Sequence, residues 1–190
     1  MKFKAIILTS IFLLSACGNQ NFKPINTVER VDLERFMGDW YVIANIPTFI
    51  EKGAYNAIET YQLNGDGSIA TTFTFNQDAP DGEQKEYNPT GFIVDQQSNA
   101  LWDMQFIWPF KAEYRVIYLD ENYETTIIGR SKRDYVWLMS RNPNINESNY
   151  ETLISYIQSQ GYDISKVKRV PQIWNTDPAN KSNKDLEKKT

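Results

Sequence analysis

The strongest constraint on the fold of this 190-residue chain is a series of eight short β-type segments, each bounded by turn residues. The second and third segments are separated by the sequence NGDG at 64–67, a strong signal for a hairpin. Short connections throughout indicate that neighbouring segments pair in antiparallel fashion. The predicted strands span residues 39–47, 55–63, 68–75, 85–95, 100–107, 112–119, 123–129 and 135–141.

The periodicity changes after the eighth segment. Tyr150, Leu153, Ile154 and Ile157 recur at helical spacing, which predicts one amphipathic helix with its apolar side toward a core. A short final strand follows at 165–173. Together these patterns predict an all-β fold, a closed eight-stranded antiparallel up-and-down β-barrel with one C-terminal α-helix packed outside.

The first 16 residues match a bacterial lipoprotein signal peptide. Lys2 and Lys4 form a basic start, and the apolar run AIILTSIFLL is too short to span a bilayer permanently. The run ends in LSAC, which resembles the lipobox and implies cleavage before Cys17 and lipidation of that residue. An ordinary secretory signal followed by a chance cysteine is the alternative. Triacylation would anchor the chain firmly, and Gly18 in place of aspartate favours the outer membrane, facing the periplasm.

Cleavage before Cys17 divides the rest of the chain into three parts. Residues 17–30 are polar and predict a lipid-anchored tether, and residues 31–174 have the size of a single domain. Residues 175–190 show no apolar periodicity and predict a disordered tail.

Composition excludes several classes of function. Without Lys2 and Lys4 the chain has 18 basic and 24 acidic residues, a net charge of −6. This charge argues against a nucleic-acid partner and against electrostatic adhesion to an anionic membrane. Cys17 is the only cysteine, and histidine is absent. The sequence therefore indicates no disulfide, no histidine-based catalytic triad, no metal site and no cofactor.

Three short motifs resemble the signature regions of the lipocalins: GDWY at 38–41, LDENY at 119–123 and YVWLMSR at 135–141. The second motif departs from the family pattern at Leu119 and Glu121. Further stretches, including WPFKAEY and QGYDISK, are similar to the bacterial outer-membrane lipoproteins of this family, a type related to apolipoprotein D. The resemblance covers nearly the whole of residues 31–174, so chance similarity is improbable.

This resemblance implies structural roles for Gly38, Trp40 and Arg141. In lipocalins the tryptophan of the G-x-W motif packs across the closed end of the barrel, and the arginine that ends the eighth strand lies over its indole. A guanidinium on indole contributes about 0.5–2 kcal/mol. Gly38 would give the backbone room at this end, so Trp40 is predicted to be structural and not a ligand contact.

Strand parity, starting from an inward Arg141, predicts that Met139, Trp137 and Tyr135 line the barrel. The inward residues of the other strands are those that the lipocalin register implies. The inward set is mostly aromatic, and its tyrosines combine an apolar ring with a hydroxyl that needs a partner when buried. Lipocalins keep a cavity, so the resemblance, together with these tyrosines, predicts a ligand-binding calyx, with a solidly packed barrel as the alternative. The predicted ligand-binding residues are Glu59, Tyr61, Phe73, Phe75, Trp102, Met104, Phe106, Tyr114, Val116, Tyr118, Tyr135 and Trp137, and Thr71, Ile93 and Met139 share their face.

Glu59 does not fit an apolar interior. An inward carboxylate is costly unless it is paired or protonated, and relatives usually carry a small residue at this position. Three explanations are open. The register is wrong by one residue, the position lies at a mouth open to water, or Glu59 pairs with a ligand cation or with Arg115.

The resemblance implies that the protein binds fatty acids or lysophospholipids and stores or transports them for envelope maintenance or stress adaptation. Each buried methylene contributes about 0.8 kcal/mol, and the polar head would stay at the mouth. One alternative is an enzyme that uses an inward carboxylate, but a lone carboxylate is weak support for catalysis, and we expect no enzymatic activity. The other is a filled-barrel structural or adhesive protein, with Phe49, Trp108 and Phe110 on a partner surface. The oligomeric state is open.

The LSAC motif generates a test of the anchor. We expect the mature protein to begin at a lipidated Cys17 and to fractionate with the outer membrane. Cys17→Ser removes the thiol that carries the diacylglycerol, so the variant should accumulate as an uncleaved or soluble form, detected by fractionation and mass spectrometry. A variant that is lipidated and localised like the wild type would contradict the anchor.

Overall fold

In the computed structural model, which describes residues 24–174, one antiparallel sheet curls until its first and ninth strands pair. Cys17, the signal peptide and the tail lie outside the described residues. The helices are α1 (Leu33–Phe36) and α2 (Glu147–Ser159), with a 3-10 turn at Ile164–Lys166. The strands are β1 (Gly38–Asn45), β2 (Ala54–Leu63), β3 (Ile69–Gln77), β4 (Gln84–Tyr87), β5 (Thr90–Ile93), β6 (Leu101–Ile107), β7 (Phe110–Leu119), β8 (Thr125–Gly129), β9 (Val136–Ser140) and β10 (Lys168–Arg169).

The barrel has eight strand positions. Strands β4 and β5 share one position beside β3 and were predicted as a single strand at 85–95. They are separated at Asn88 and Pro89, because proline has no backbone N–H to donate to the ladder. The pairing of Tyr41 with Ser140 and of Asn45 with Trp137 joins β1 to β9. The predicted closed eight-stranded barrel with one main helix is confirmed.

The C-terminal segment fills a gap between β1 and β2. The two strands pair from Gly38 to Tyr41, after which β10 pairs with Ala44 and Asn45 along the edge that β2 has left. Further along, the side-chain N–H of Gln172 donates to the carbonyls of Val42 (2.9 Å) and Ala57 (3.1 Å). This segment therefore supplies partners for backbone groups that would otherwise form a free edge.

Alternation along the strands produces two apolar cores. The first lies inside the barrel and includes Trp40, Phe75 and Trp102. The second lies outside, where Leu153 and Ile157 of α2 are buried in one cluster with outward side chains of β7, β8 and β9. No helix in residues 24–174 is long and apolar enough to cross a membrane.

Trp40 and Arg141 build the floor of the barrel. Trp40 is fully buried, and the Arg141 guanidinium carbon lies 3.8 Å from the centroid of its indole. The indole N–H donates to the carbonyl of Phe36 at the end of α1 (2.8 Å). The guanidinium donates to four backbone carbonyls at 2.7–3.0 Å, those of Arg35, Phe36, Met37 and Asp39.

Gly38 begins β1 directly beside this floor. Its φ of +89° lies in the left-handed region, which side chains with a Cβ rarely adopt. A Cβ built at this position would also lie 3.5 Å from a terminal nitrogen of Arg141. Glycine is therefore favoured here by backbone conformation, while the space beside Arg141 is close without being prohibitive.

The floor generates a prediction about stability. Trp40→Ala should lower the free energy of unfolding by about 3–5 kcal/mol through loss of buried aromatic volume. Arg141→Ala should lower it by about 1.5–3 kcal/mol, the usual effect of losing hydrogen bonds to a charged group. Because both variants remove the same contact, the double variant should lose less than the sum of the two. Denaturant titration measures all four proteins, and strictly additive losses would contradict the pairing.

Candidate ligand-binding site

One cavity opens inside the barrel above this floor, and we call it the inner cavity. Its volume is about 40 Å³. Its lining includes Phe106, near the end of the barrel opposite Trp40, where the β1–β2 and β6–β7 connections lie. The lining residues are Glu59, Thr71, Phe73, Pro89, Met104, Phe106, Glu113, Tyr114 and Trp137.

Six of the twelve predicted ligand-binding residues line the inner cavity: Glu59, Phe73, Met104, Phe106, Tyr114 and Trp137. They come from β2, β3, β6, β7 and β9, and strand closure brings them around one space. Tyr61, Phe75, Trp102 and Val116 lie in the packed interior core instead.

This packed part consists largely of stacked aromatic rings. Trp102 stacks on Tyr114 with ring centroids 5.0 Å apart and meets Tyr61 edge-on at 5.8 Å. Its indole N–H donates to the carbonyl of Asn99 (2.7 Å). Phe36 adds a further edge-on contact at 5.5 Å. The lower half of the barrel is therefore solid, and the space for a ligand is confined to the upper half.

The parity prediction fails at Tyr118. Pairing between β7 and β8 shifts by one residue between Val116 and Tyr118, so a bulge interrupts the alternation. Val116 lies in the interior core, whereas both Ile117 and Tyr118 belong to the outer core. Tyr118 packs against Tyr156 of α2, with ring centroids 5.3 Å apart.

Tyr135 does not line the inner cavity as predicted, because it packs against the outer core, with its ring centroid 6.1 Å from that of Trp137. It precedes Val136, the first residue of β9, so no ladder pairing determines the side of the sheet that it faces. The Arg130 guanidinium lies 5.3 Å from the centroid of its ring.

Glu59 faces the inner cavity and accepts a hydrogen bond from the hydroxyl of Tyr61. The hydroxyl oxygens of Tyr61 and Tyr114 are 2.6 Å apart, so the three polar groups form a chain. Burial, with a smaller contribution from the negative charge of Glu51, raises the pKa of Glu59 to about 8. Burial and the nearby Glu59 raise the pKa of Tyr114 well above its ordinary value. Glu59 is therefore largely protonated at neutral pH.

The register error and the pairing of Glu59 with Arg115 are both wrong. A register error is excluded, because Glu59 pairs with Phe73 and lines the cavity as parity predicts. Pairing with Arg115 is excluded, because Arg115 Nε donates to Glu113 Oε1 (2.8 Å) and its terminal nitrogen donates to the carbonyl of Ile25 (3.1 Å).

Glu51 is a second buried carboxyl, close to the cavity, that the sequence did not reveal. It lies in the loop after β1 and is only 5% exposed. The indole N–H of Trp137 donates to its Oε1 (2.6 Å), the side chain of Asn45 donates to the same oxygen (3.2 Å), and the Thr48 N–H donates to Oε2 (2.8 Å). Residues in a loop do not alternate between two faces, so the sequence cannot predict which way Glu51 points. Its buried hydrogen-bond partners in the structure reveal its position.

Thr71 adds a polar atom to the cavity wall. The residue is 3% exposed, and its hydroxyl has no hydrogen-bond partner within residues 24–174. A buried hydroxyl without a partner is destabilising by about 1–3 kcal/mol, so this atom marks a point where a polar ligand group would be stabilised.

Large apolar side chains surround the open end, and we call them the mouth rim. They come from the β1–β2 loop and from the β6–β7 hairpin, and each is more than half exposed. Exposed apolar side chains gathered at the open end of a barrel are suited to a ligand entrance or a membrane contact. The mouth rim consists of Phe49, Phe106, Ile107, Trp108 and Phe110.

Comparisons with known proteins agree with this geometry. A family model described as a lipocalin-like domain matches residues 31–172. Temperature-induced lipocalin-1 of Arabidopsis thaliana is 32% identical over 159 residues, covering 79% of this chain and 84% of the plant protein. The outer membrane lipoprotein Blc of Citrobacter freundii is 31% identical over 169 residues, covering 87% and 93%. Insecticyanin of the tobacco hornworm shares the fold, with a TM-score of 0.62 at 16% identity over 80% of this chain and 85% of its own.

The raised pKa of Glu59 generates a prediction about pH. Its ordinary pKa near 4.5 applies to the unfolded chain, and its pKa in the folded protein is about 8. Between these values the folded state binds more protons, so stability should fall as pH rises, by up to about 1.4 kcal/mol per unit. Glu59→Gln should remove this dependence, whereas the exposed Glu83→Gln should retain it. Denaturant titrations across this pH range measure the slope, and an equal slope in Glu59→Gln would contradict the assignment.

Proposed function

Since this chain belongs to the lipocalin family, we propose that it binds the acyl chain of a fatty acid or lysophospholipid in the inner cavity. The observation that carries the proposal is the composition of the wall, where Phe73, Phe106, Tyr114 and Trp137 converge from four strands. Apolar surface that leaves water at such a wall contributes about 25 cal/mol per Å². The polar head of the ligand remains at the mouth rim, in contact with water.

The size of the cavity limits how a long chain enters. A volume of about 40 Å³ holds only a small group, so side chains must move to admit more of the ligand. Phe106 is the natural candidate, because it lines the cavity and is 52% exposed at the mouth. Outward rotation of this ring would lengthen the cavity toward the mouth rim without disturbing the stacked aromatic floor.

The path of the N-terminal segment supports a membrane-anchored role. Toward the N-terminus the chain runs from Val31, whose N–H donates to the Ser98 carbonyl (2.7 Å), through Val28 to Ile25. Ile25 is held by Arg115 of β7, so the segment leads from the closed end toward the open end. Ile25 lies eight residues after Cys17, a separation that can span up to about 28 Å, so a lipidated Cys17 would hold the mouth rim near a bilayer.

Relatives support the location of this anchor. The similar protein of Citrobacter freundii is named an outer membrane lipoprotein, and the LSAC motif with Gly18 favours the same membrane here. A role in storing or transporting lipids for the envelope follows, with the barrel facing the periplasm and receiving ligand from the membrane that holds it.

A filled-barrel structural or adhesive protein is the second candidate, and the small volume of the inner cavity is the observation that favours it. In that case the mouth rim would contact a partner protein, and no amphiphile would bind inside. Binding experiments separate the two candidates directly.

We expect saturated fatty acids to change tryptophan fluorescence in a saturable way, with affinity that rises with chain length and then levels off. Each added methylene contributes about 0.8 kcal/mol only while it can be buried. Trp137 lines the cavity, so Trp137→Phe should remove most of the signal, whereas Trp40→Phe at the floor should retain it. Fluorescence titration of the soluble domain measures both.

Trp137→Arg tests the same site by affinity. A charge among aromatic walls should weaken chain binding, while the floor of Trp40 and Arg141 remains formed. Calorimetric titration measures the affinity, and near-ultraviolet circular dichroism checks the fold. An equal response to short and long chains, or none to any lipid, would favour the filled barrel.

A further inference from the structure

The inner cavity is acidic as well as aromatic. Two of its lining residues are glutamates, and none of its nine is lysine or arginine. Glu113 is already neutralised, because it pairs with Arg115 (2.8 Å) and accepts from the backbone N–H of Ser131 (2.6 Å). Glu59 has no cationic partner in the described part of the chain. The cavity therefore contains one carboxyl without a counter-ion.

The hydrogen bonds around Glu59 occupy the hydroxyl protons of Tyr61 and Tyr114 and leave nearby oxygen atoms free to accept. When Glu59 is ionised, Tyr61 donates to its Oε2, and the Tyr61 oxygen accepts from the Tyr114 hydroxyl 2.6 Å away. Both hydroxyl protons are then directed toward Glu59. Within residues 24–174, Glu59 Oε1 and the Thr71 hydroxyl have no partner. A ligand group with several N–H donors would satisfy both oxygens, and a primary ammonium has three such donors.

The walls and the size of the cavity suit the same group. Phe73, Tyr114 and Trp137 present aromatic rings, which attract a cation within about 6 Å of the ring centroid. Glu51, which is hydrogen-bonded to Trp137, adds negative potential. A volume of about 40 Å³ exceeds the roughly 10–15 Å³ that a single water needs, so a primary ammonium fits without rearrangement of the floor.

We propose that the inner cavity binds the ammonium group of a long-chain primary amine, with Glu59 as its counter-ion and the alkyl chain leading out past Phe106. This inference rests on the proposed function, because the amphiphile enters from the mouth rim. A carboxylate at the same depth would meet the negative field of Glu51 and, once Glu59 ionises, a second negative charge, and none of the nine lining residues is a cation that would neutralise it. A fatty acid therefore enters chain first, and an amine enters head first.

This binding mode has a distinctive pH dependence. The ammonium pairs with ionised Glu59, so below a pKa of about 8 binding must expel the proton of this carboxyl. Affinity for the amine should then rise up to about tenfold per pH unit and level off above that pKa. The pKa of Glu113 is lowered and that of Tyr114 is raised, so neither of these groups titrates in this window.

The test compares dodecylamine, dodecanol and dodecanoate, which share one chain length, by calorimetric titration from about pH 6 to about pH 8, where Glu59 titrates. At the upper pH the wild type should bind the amine at least about tenfold more tightly than the alcohol. Binding of the amine near neutral pH should release close to one proton, measured as a dependence of the heat on buffer ionisation. Glu59→Gln should lose the preference, the pH slope and the proton release, whereas the exposed Glu83→Gln should keep all three.

The outcomes separate this inference from the proposed function. Equal affinity for the amine and the alcohol in the wild type, or a pH slope that persists in Glu59→Gln, would overturn the inference and leave lipid binding intact. Failure of all three amphiphiles to bind would overturn both. If Glu59→Gln does not fold, the proton release and the slope of the wild type decide the matter on their own.

Discussion

The contact between Arg141 and Trp40 holds together the part of the molecule on which everything else depends. Arg141 follows β9 and Trp40 lies in β1, so their contact joins the two strands whose pairing closes the barrel. The guanidinium also bonds to the carbonyls at the end of α1, which crosses the bottom. One side chain thus stabilises both the seam and the floor. A closed sheet has no free edge. Its inward side chains therefore pack into one core inside the barrel, and its outward side chains pack into a second core outside.

The packed lower half of the barrel also determines where a ligand can bind. Trp102 and its aromatic neighbours fill the lower half, so any ligand must occupy the upper half and reach it from the mouth rim. There the interior combines apolar rings with Glu59 and Glu51. Buried carboxylates destabilise the fold unless protons, hydrogen bonds or a ligand compensate for their charge. Membership in the lipocalin family explains the barrel and the cavity, whereas the polar chain from Glu59 through Tyr61 to Tyr114 is the feature on which the proposed amine binding depends.

The outer face shows how a local irregularity serves the fold. The bulge in β7 turns Ile117 and Tyr118 to the same side, where both contact the region beneath α2. The Tyr156 hydroxyl then donates to the carbonyl of Ile117 (2.7 Å), which ties the helix to the barrel at this point. A strictly alternating strand would have directed Tyr118 into the interior and left the helix without this aromatic contact. The bulge therefore accounts for both the docking of α2 and the failed prediction for Tyr118.

Alternating hydrophobicity, turn residues and the helical spacing from Tyr150 to Ile157 are local properties, so reading the chain was enough to predict the strands, the helix, the closed barrel and the lipocalin family. Parity also predicted an inward Glu59, because alternate residues of an uninterrupted strand face the same side of the sheet. Parity failed at Tyr118, where a bulge shifts the register, and at Tyr135, which precedes its strand. It could not address Glu51, since loop residues have no alternation. The volume of the inner cavity, the raised pKa of Glu59 and its chain of tyrosines depend on side chains from strands far apart in sequence, and packing in three dimensions alone brings these groups together.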